Sequence, residues 1–378
     1  MGCFTAFRRR IASPQPTSRS EIDEQISEIR DSKVFSYREL KVATDDFSPA
    51  NKIGQGGFGS VFKGKLRDGT LVAIKVLSVD SSQGAREFLT EIMVISGVEH
   101  ENLVKLYGYC AEGDHRILVY GYLENHSLAQ TLIGGGSGIQ FNWKTRTKIC
   151  TGIARGLAFL HEEVRPHIVH RDIKASNILL DHDLNPKISD FGLAKLLPPS
   201  MTHVSTRVAG TMGYLAPEYA VRGRLTRKAD IYSFGILMLE IISGRSNTNK
   251  QLPYEEHYLL ERMWKCYEQE DLIQLVDMSM GGEFDVSEAC KFLKIGLLCT
   301  QEMPKDRPSM TEVVKMLTGE TDLDEDLKIS RPGLISELMS LRGGRRNASS
   351  AVSSSTPNTT ITYATMTFTS IDDRSAYR

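Results

Sequence analysis

The segment His170-Arg171-Asp172-Ile173-Lys174-Ala175-Ser176-Asn177 decides the interpretation of this chain, and Asp190-Phe191-Gly192 follows it after a short predicted strand and turn. Two carboxylates and one amide at this spacing suit phosphoryl transfer. Asp172 is the candidate to accept the proton of an attacking hydroxyl. Asp190 and Asn177 are candidates to hold Mg²⁺ against nucleotide phosphates, because Mg²⁺ prefers oxygen ligands. The segments predict an ATP-dependent kinase, although a single Asp in a turn is more often only a turn former.

A glycine-rich segment, Ile53-Gly54-Gln55-Gly56-Gly57-Phe58-Gly59-Ser60-Val61, lies upstream. Its glycines permit a tight hairpin whose backbone amides can approach phosphate oxygens. The same spacing also opens dinucleotide-binding units, but those need a helix directly after the last glycine and an acid about twenty residues further on. Here residues 61–66 alternate and run into the turn Arg67-Asp68-Gly69-Thr70, so a hairpin is predicted. We expect the segment to lie over ATP.

A lysine and a glutamate follow at positions that could meet in the same cleft. Residues 71–76 read as a half-buried strand with Lys75 near its end, a cation able to contact the α- and β-phosphates of ATP. In the next predicted helix, Phe88, Ile92 and Ile95 repeat at helical spacing, and Glu91 projects from an adjacent position. The alternative is that both residues are solvated, Lys75 as a lysine at a strand end and Glu91 as an exposed glutamate on a helix.

In this order, the segments resemble the motifs of eukaryotic protein kinases. The resemblance implies an α+β, bilobal eukaryotic protein kinase fold with a small β-rich lobe and a larger helical lobe. It implies that ATP and Mg²⁺ are cofactors, with Mn²⁺ as a possible substitute, and that proteins are the substrates. The implied roles are an ion pair between Lys75 and Glu91, proton acceptance by Asp172, contact of Lys174 with the transferring phosphate, and metal ligation by Asn177 and Asp190.

The resemblance also implies the nucleotide contacts. Residues 118–123 read as the last strand of the small lobe and the hinge, where the backbone of Gly121 and Leu123 would meet adenine. Tyr120 would be the gatekeeper, and core filling explains it equally well. The implied ATP-binding residues are Ile53, Gly54, Gln55, Gly56, Gly57, Phe58, Gly59, Ser60, Val61, Ala73, Lys75, Gly121 and Leu123.

Two features narrow the subfamily. The lead-in over residues 35–47, F-S-Y-x-E-L-x-x-A-T-x-x-F, is similar to that of plant receptor-like kinases. Together with the catalytic segments, it resembles receptor-like cytoplasmic serine/threonine kinases of the receptor-like kinase/Pelle family, in particular the cold-responsive group. Lys174 and Thr211, the latter in Gly210-Thr211-Met212-Gly213-Tyr214, resemble the serine/threonine-specific branch. Dual specificity stays open.

The chain divides into four predicted parts. Residues 1–34 form a flexible arm, 35–47 a lead-in helix, 48–318 the kinase domain and 319–378 a tail rich in Ser and Thr, too poor in large aliphatic residues to order itself. Within the domain, residues 48–123 form the small lobe and 124–318 the large lobe. A buried helix is predicted over residues 230–242, capped by Asp230. The resemblance adds that Asp230 steadies the catalytic loop and that Arg307 pairs with Glu218.

Regulation is predicted at two places. Ser205 and Thr206 are candidate phosphorylation sites, where phosphate could pair with Arg171 and order the loop, although exposed loop hydroxyls are common. Gly2 and Cys3, beside Arg8-Arg9-Arg10, are candidate lipidation sites. One acyl chain binds a membrane only marginally, so the combination of signals matters. The myristoylation pattern fails at Ala6. We expect attachment to the cytoplasmic face of the plasma membrane, with a cytoplasmic protein as the alternative.

Composition excludes other classes. The chain has 378 residues, 40% of them apolar, and a formal net charge of −1 with dispersed basic residues, so no nucleic-acid partner is predicted. Six cysteines without C-x-x-C spacing predict reduced thiols in the cytosol. No apolar run approaches the roughly 18 residues of a membrane span. The histidines around His161 lack the spacing of a zinc-protease helix.

The predicted function is therefore phosphorylation of protein hydroxyls in receptor or stress signalling, with autophosphorylation and an upstream membrane receptor kinase as a partner. A rival hypothesis is a kinase-fold scaffold, which would require loss of Lys75, Asp172 or Asp190. All three are present. A second rival is an active domain whose tails, docked to a receptor, carry the main function.

Overall fold

The computed structural model describes residues 32–56, 59–78, 82–134, 138–253, 256–281, 283–323 and 329–333. Six strands form the sheet of its N-terminal part: β1 Lys33–Val34, β2 Lys52–Gly56, β3 Gly59–Lys65, β4 Leu71–Leu77, β5 Leu106–Cys110 and β6 Ile117–Gly121. They lie in the order β1-β5-β6-β4-β3-β2. β1 pairs in parallel with β5, and the other pairs are antiparallel.

The glycine-rich segment forms the hairpin between β2 and β3. Gly59 needs to be glycine, because its φ is +141° and a Cβ added there would lie 1.9 Å from the carbonyl oxygen of Val76. β3 continues antiparallel to β4, which sets Val61 opposite Lys75. The structure therefore has the predicted hairpin in place of a strand-to-helix turn, with Gly56 paired to Gly59 and Gly59 paired to Leu77 at the end of β4.

The two faces of β4 have different neighbours because side chains alternate along a strand. Val72 and Ile74 are fully buried on one face, in a cluster with Phe35 and Leu40 of the lead-in. Helix α1, Tyr37–Ala43, carries Leu40 and is shorter than the predicted helix over 35–47. It begins at a capping box, in which Ser36 and Glu39 satisfy each other's backbone amides. Lys75 lies on the opposite face, toward the cleft.

Helix α2, Ser82–Ile95, packs beside the sheet. Phe88, Ile92 and Ile95 are buried, as their spacing predicts. Glu91 is also fully buried, so it is not the solvated helical glutamate of the alternative interpretation.

The C-terminal part is mainly helical. Its helices are α3 Trp143–Ala158, α4 Pro217–Arg222, α5 Arg227–Ser243, α6 Leu259–Glu268, α7 Val286–Cys299 and α8 Met310–Thr318. Helix α5 is buried on all sides from Ala229 to Ser243, which makes it the centre of this part. The predicted cap is wrong: α5 begins at Arg227 after the N-cap Thr226, and Asp230 lies inside the first turn.

Short two-stranded ladders hold the loops that carry the candidate catalytic and metal-binding residues. They pair β7 His167–Val169 with β10 Lys195–Leu197, β8 Ile178–Leu180 with β9 Pro186–Ile188, and β11 Val204–Ser205 with β12 Arg224–Leu225. The segment 170–177 connects β7 to β8, and residues 190–192 connect β9 to β10. Because β7 pairs with β10, the two segments are brought together at one end of these ladders.

The C-terminal segment differs from the prediction. The sequence predicts a tail without fixed structure from residue 319, but residues 329–333 pack on the helical part, with Ile329, Pro332 and Gly333 buried. Among the helices in the described part of the chain, none is both long enough and apolar enough to cross a membrane.

Candidate active site

Three charged side chains meet between the sheet and the helical part. The Lys75 ammonium lies 2.7 Å from Asp190 Oδ1 and 3.2 Å from Glu91 Oε2. Glu91 also accepts a hydrogen bond from the backbone amide of Phe191, at 3.2 Å. Glu91 therefore links helix α2 to both strand β4 and the Asp190 segment.

The charges of this group stabilise one another. Burial disfavours the charged form of Lys75, but Asp190 and Glu91 outweigh it and raise the pKa of the ammonium above its ordinary value. Burial likewise opposes ionisation of Asp190, yet the Lys75 ammonium holds the pKa of Asp190 below its ordinary value. Both residues are therefore ionised at neutral pH.

The loop after β7 gathers a second cluster around Asp172. Its Oδ1 accepts a 2.6 Å hydrogen bond from the Thr211 hydroxyl, and its Oδ2 lies 2.8 Å from the Lys174 ammonium. Lys174 also donates to the Thr211 hydroxyl at 2.7 Å. Asn177 donates from Nδ2 to the backbone oxygen of Asp172 at 2.9 Å and to Oδ2 at 3.1 Å. Asp172 is therefore held in one orientation, with a hydroxyl already bonded to it.

Asp230 holds the backbone of this loop from below. Its carboxylate accepts from the amide of His170 at 2.7 Å and from the amide of Arg171 at 2.8 Å. It also lies 2.9 Å from Nε2 of the buried His161. Hydrogen bonds from these groups outweigh the burial that opposes ionisation and keep the pKa of Asp230 below its ordinary value. The expected support of the loop is thus seen, although Asp230 does not cap the helix.

The backbone is strained on both sides of the cleft. Arg171 has φ +74° and Asp190 has φ +68°, left-handed conformations that cost energy for residues with a side chain. The conformation of Asp190 is held by packing of Phe191, the residue that follows it. The Phe191 ring is buried and meets the His170 ring edge-on, with centroids 4.8 Å apart. This strain sets Asp190 toward Lys75.

The donor set suits a divalent cation that is shared with a nucleotide. The Asp190 side chain is 30% exposed, and the Nδ2 hydrogen bonds of Asn177 leave its amide oxygen as the group able to bind a cation. In the described ranges, no group of three or more His, Cys, Asp or Glu could hold a metal. One carboxylate and one amide fit Mg²⁺ only when phosphate oxygens and water complete the shell, which is how Mg²⁺ is commonly bound with nucleotides.

The structure places most of the predicted nucleotide-binding residues on four neighbouring strands of the sheet, β2, β3, β4 and β6. Ile53, Gly54, Gln55 and Gly56 lie on β2, and Gly59, Ser60 and Val61 on β3. Ala73 and Lys75 share a face of β4, with Ala73 opposite Tyr120 on β6. Gly121 ends β6, and Leu123 follows it. Gly57 and Phe58 lie outside the described residues, as do the candidate lipidation sites Gly2 and Cys3.

The structure does not bring the candidate phosphorylation sites to Arg171. The Arg171 guanidinium donates to the backbone oxygens of Leu193 and Arg207, each at 2.8 Å. Ser205 is exposed on β11 opposite Arg224 on β12. The amide of Thr206 donates to the Gly223 oxygen at 3.0 Å.

Sequence reasoning missed two side chains that fix this region. The hydroxyl of Tyr219 accepts from Arg171 Nε at 3.1 Å and from the Ala209 amide at 3.0 Å. Buried Glu240 accepts from the Tyr214 hydroxyl at 2.6 Å and from the Asn247 amide at 2.7 Å. The signal that could have found Tyr219 is its place directly after Pro217 and Glu218; a glutamate within an otherwise apolar helix points to Glu240.

Comparison with known proteins agrees with this geometry. The family model described as the protein kinase domain matches residues 47–317. The chain therefore belongs to the protein kinase family, and the predicted bilobal kinase fold is confirmed.

Individual relatives narrow the class. The chain is 66% identical to cold-responsive protein kinase 1 of Arabidopsis thaliana over 90% of this chain and 87% of that protein. It is 58% identical to a leucine-rich repeat receptor-like serine/threonine-protein kinase of the same plant over 77% of this chain. A second receptor-like kinase is 54% identical over 80% of this chain. The chain spans only 28% and 29% of these two receptor-like relatives. The predicted class, a plant receptor-like serine/threonine protein kinase, is confirmed.

Proposed function

We propose that this kinase transfers the γ-phosphoryl group of Mg²⁺-ATP to serine and threonine hydroxyls of proteins. The observation that carries the proposal is the 2.6 Å hydrogen bond from the Thr211 hydroxyl to Asp172, with the Lys174 ammonium 2.7 Å from the same hydroxyl. A carboxylate that accepts from a hydroxyl beside a lysine is the arrangement that an acceptor serine or threonine requires.

Each side chain has a distinct part in the proposed reaction. Bound ATP and Mg²⁺ supply the phosphoryl group and neutralise its charge. Asp172 orients the acceptor hydroxyl and takes its proton. Lys174 stabilises negative charge on the transferring phosphate, and Lys75, held by Glu91, positions the nucleotide. Catalysis is then mainly alignment and electrostatic stabilisation by groups that are already in place.

Residue Thr211 supports the serine/threonine preference. Its hydroxyl joins Asp172 to Lys174, which holds the loop that carries Thr211 close to the proposed catalytic residue. Lys174 and Thr211 are the two residues that resemble the serine/threonine-specific branch. Two relatives are named serine/threonine-protein kinases, in agreement with this specificity.

The test is an assay of the purified chain with Mg²⁺-ATP and a generic protein acceptor, followed by identification of the phosphorylated amino acids. We expect phosphoserine and phosphothreonine on the acceptor and on the enzyme itself, and no transfer by Asp172→Asn. Exclusive phosphotyrosine would refute the specificity, and equal transfer by Asp172→Asn would refute the mechanism. Phosphotyrosine beside the other two would establish dual specificity.

The proposed setting is signalling at the cytoplasmic face of the plasma membrane, downstream of a receptor kinase. Gly2, Cys3 and the basic cluster after them support membrane attachment, since two acyl chains and positive charge together anchor a protein stably. The name of the relative cold-responsive protein kinase 1 supports a stress response. The geometry favours an active kinase over a scaffold, because Lys75, Glu91 and Asp190 are in contact.

A further inference from the structure

The segment Ile329-Ser330-Arg331-Pro332-Gly333 occupies a defined site on the helical part, beyond the residues that match the kinase family. The amide of Gly333 donates to the Thr300 oxygen at 3.1 Å, and Pro332 forms an isolated antiparallel bridge with Gln301. The buried Tyr232 of α5 donates from its hydroxyl to the Gly333 oxygen. Both backbone groups of Gly333 are therefore satisfied by the helical part.

The fit at Gly333 is close. A Cβ atom added there would lie 2.7 Å from Cγ of Pro217 and 3.3 Å from the Glu302 Cα. Real side chains essentially never approach to 2.7 Å, so any larger residue must displace Pro217 or the segment itself. The backbone of Gly333 thus lies directly against the first residue of α4.

The same site anchors the loop that borders the catalytic acid. Glu218, next to Pro217, forms a double hydrogen bond with buried Arg307, at 2.8 Å for each contact. Arg307 also donates to the Gln301 oxygen at 2.8 Å, and its guanidinium lies 5.0 Å from the Tyr232 ring centroid. The segment thus shares Gln301 and Tyr232 with the ion pair that holds Glu218.

This position connects the segment to catalysis. The loop from Thr211, which bonds to Asp172, runs to Pro217 in six residues. Under the proposed function, an acceptor hydroxyl that reaches Asp172 lies beside the Thr211 end of this loop. We infer that residues 329–333 are a positioning clamp that fixes the Pro217 end of the loop and so sets the affinity for protein substrates. The inference rests on the proposed function and identifies what holds its acceptor site.

The test compares two valine substitutions in the same segment of the full chain. Gly333→Val places its side chain against Pro217, whereas Ser330→Val adds the same side chain at an exposed position. We expect Gly333→Val to raise the KM for the protein acceptor about tenfold while the KM for ATP is unchanged, because a displaced loop would lose about 1.4 kcal/mol of acceptor binding. Ser330→Val should match the unmodified chain. An unchanged acceptor KM in folded Gly333→Val would overturn the clamp.

A milder variant covers the case in which Gly333→Val does not fold. Tyr232→Phe keeps the ring beneath Arg307 and removes only the hydrogen bond to Gly333, so we expect an increase of about fivefold in acceptor KM alone. A fall in thermal stability with both KM values unchanged would show a merely structural role and overturn the clamp.

Amide hydrogen exchange separates this inference from the proposed function. Gly333→Val and Tyr232→Phe should accelerate exchange at residues 213–218, and Ser330→Val should not. If the unmodified chain transfers no phosphate, the proposed function is refuted. The contact between residues 329–333 and the loop is then tested by amide hydrogen exchange alone. Equal exchange in all variants would overturn it.

Discussion

The Lys75 ammonium is shared by Glu91 and Asp190, and these two contacts connect strand β4 to helix α2 and to the Asp190 segment. Both carboxylates lose hydration on burial, and the same cation offsets part of that cost for each of them. A change at any of the three therefore leaves a buried charge with less compensation. The Asp172 group is arranged differently, because a hydroxyl and an amide share its coordination with Lys174.

Asp190→Asn should abolish turnover without unfolding the protein. The substitution removes the negative charge proposed to bind Mg²⁺, while Glu91 still pairs with Lys75. We expect kcat to fall by at least about 100-fold, as loss of one preorganised electrostatic group does. The control is Asp183→Asn at an exposed position, which should be fully active. Labelled phosphate incorporated at the normal rate by Asp190→Asn would contradict the metal assignment.

Glu240→Gln should change how stability depends on pH. Burial raises the pKa of Glu240 from 4.5 to about 7, so the folded protein binds this proton more tightly than the unfolded chain. Its contribution to stability is present in acid and is lost as pH rises from about 4.5 to about 7.

Glutamine does not titrate, so Glu240→Gln does not lose this stability as pH rises. Its unfolding free energy should therefore increase relative to that of the unmodified chain by up to about 3 kcal/mol between pH of about 4.5 and about 7. Urea unfolding at several pH values measures the difference. The exposed Glu268→Gln should show none. A constant difference between Glu240→Gln and the unmodified chain at every pH would contradict the shifted pKa.

At the scale of elements, the lead-in helix α1 belongs to the small lobe. Leu40 is fully buried against Val72 and Ile74 of the sheet, whereas Val42 on the same helix is 67% exposed. Leu40→Ala should lower the unfolding free energy by about 2–5 kcal/mol, because it leaves a cavity in a packed cluster. Val42→Ala should change it by no more than about 0.5 kcal/mol. Thermal or urea unfolding compares the two, and equal effects would show that α1 does not pack on the sheet in solution.

The segment between Asp190 and Glu218, which contains the candidate phosphorylation sites Ser205 and Thr206, is the second element with a testable role. Arg207 is the residue next to Thr206, and its backbone oxygen accepts a hydrogen bond from the Arg171 guanidinium. Phosphate on Ser205 or Thr206 would compete for that guanidinium, since charge-assisted hydrogen bonds are the stronger ones. Mass spectrometry of enzyme incubated with Mg²⁺-ATP should find one of them phosphorylated.

The matched variants extend this test to activity. Ser205→Ala with Thr206→Ala should prevent activation on incubation with Mg²⁺-ATP, and the exposed Thr202→Ala should not. Fully active enzyme carrying phosphate at neither position would discard both candidates.

On the scale of the whole molecule, the packed residues 329–333 change where the chain can be truncated. The proposed division places an arm before residue 35 and a tail after residue 318, and the packed residues 329–333 assign part of that tail to the helical lobe. A deletion designed to separate signalling from catalysis should therefore begin after Gly333, because removal of all residues after 318 would also remove this segment.

The proposed membrane attachment is tested on the full chain. Gly2→Ala with Cys3→Ala should release the protein from membranes of plant cells into the soluble fraction. The double change removes both candidate acylation sites and leaves only the basic cluster, and a single weak anchor gives only marginal binding. Ala6→Ser restores the residue that the acylation pattern requires and should increase the membrane fraction. Fractionation measures both, and membrane partitioning that neither change affects would end the lipid-anchor proposal.

Local patterns predicted much of the site. The hairpin of the glycine-rich segment, the lysine on β4 and the helical spacing of Phe88, Ile92 and Ile95 all follow from short-range periodicity. The predicted N-cap of α5 was wrong because Thr and Asp are both favourable N-cap residues. Only the folded backbone shows that Thr226, and not Asp230, occupies the position. Tyr219 was missed because its partners are distant in sequence.

The sequence by itself determined the family, because Lys75, Glu91, Asp172, Asn177 and Asp190 occur in the order of the protein kinase motifs that the chain resembles. Only the tertiary structure decided which groups restrain them: Asp230 beneath the catalytic loop, Tyr219 on Arg171 and Gly333 against Pro217. The physical reason is that residue type and spacing encode reactivity and local conformation, whereas hydrogen bonds between distant segments depend on packing that no local pattern records.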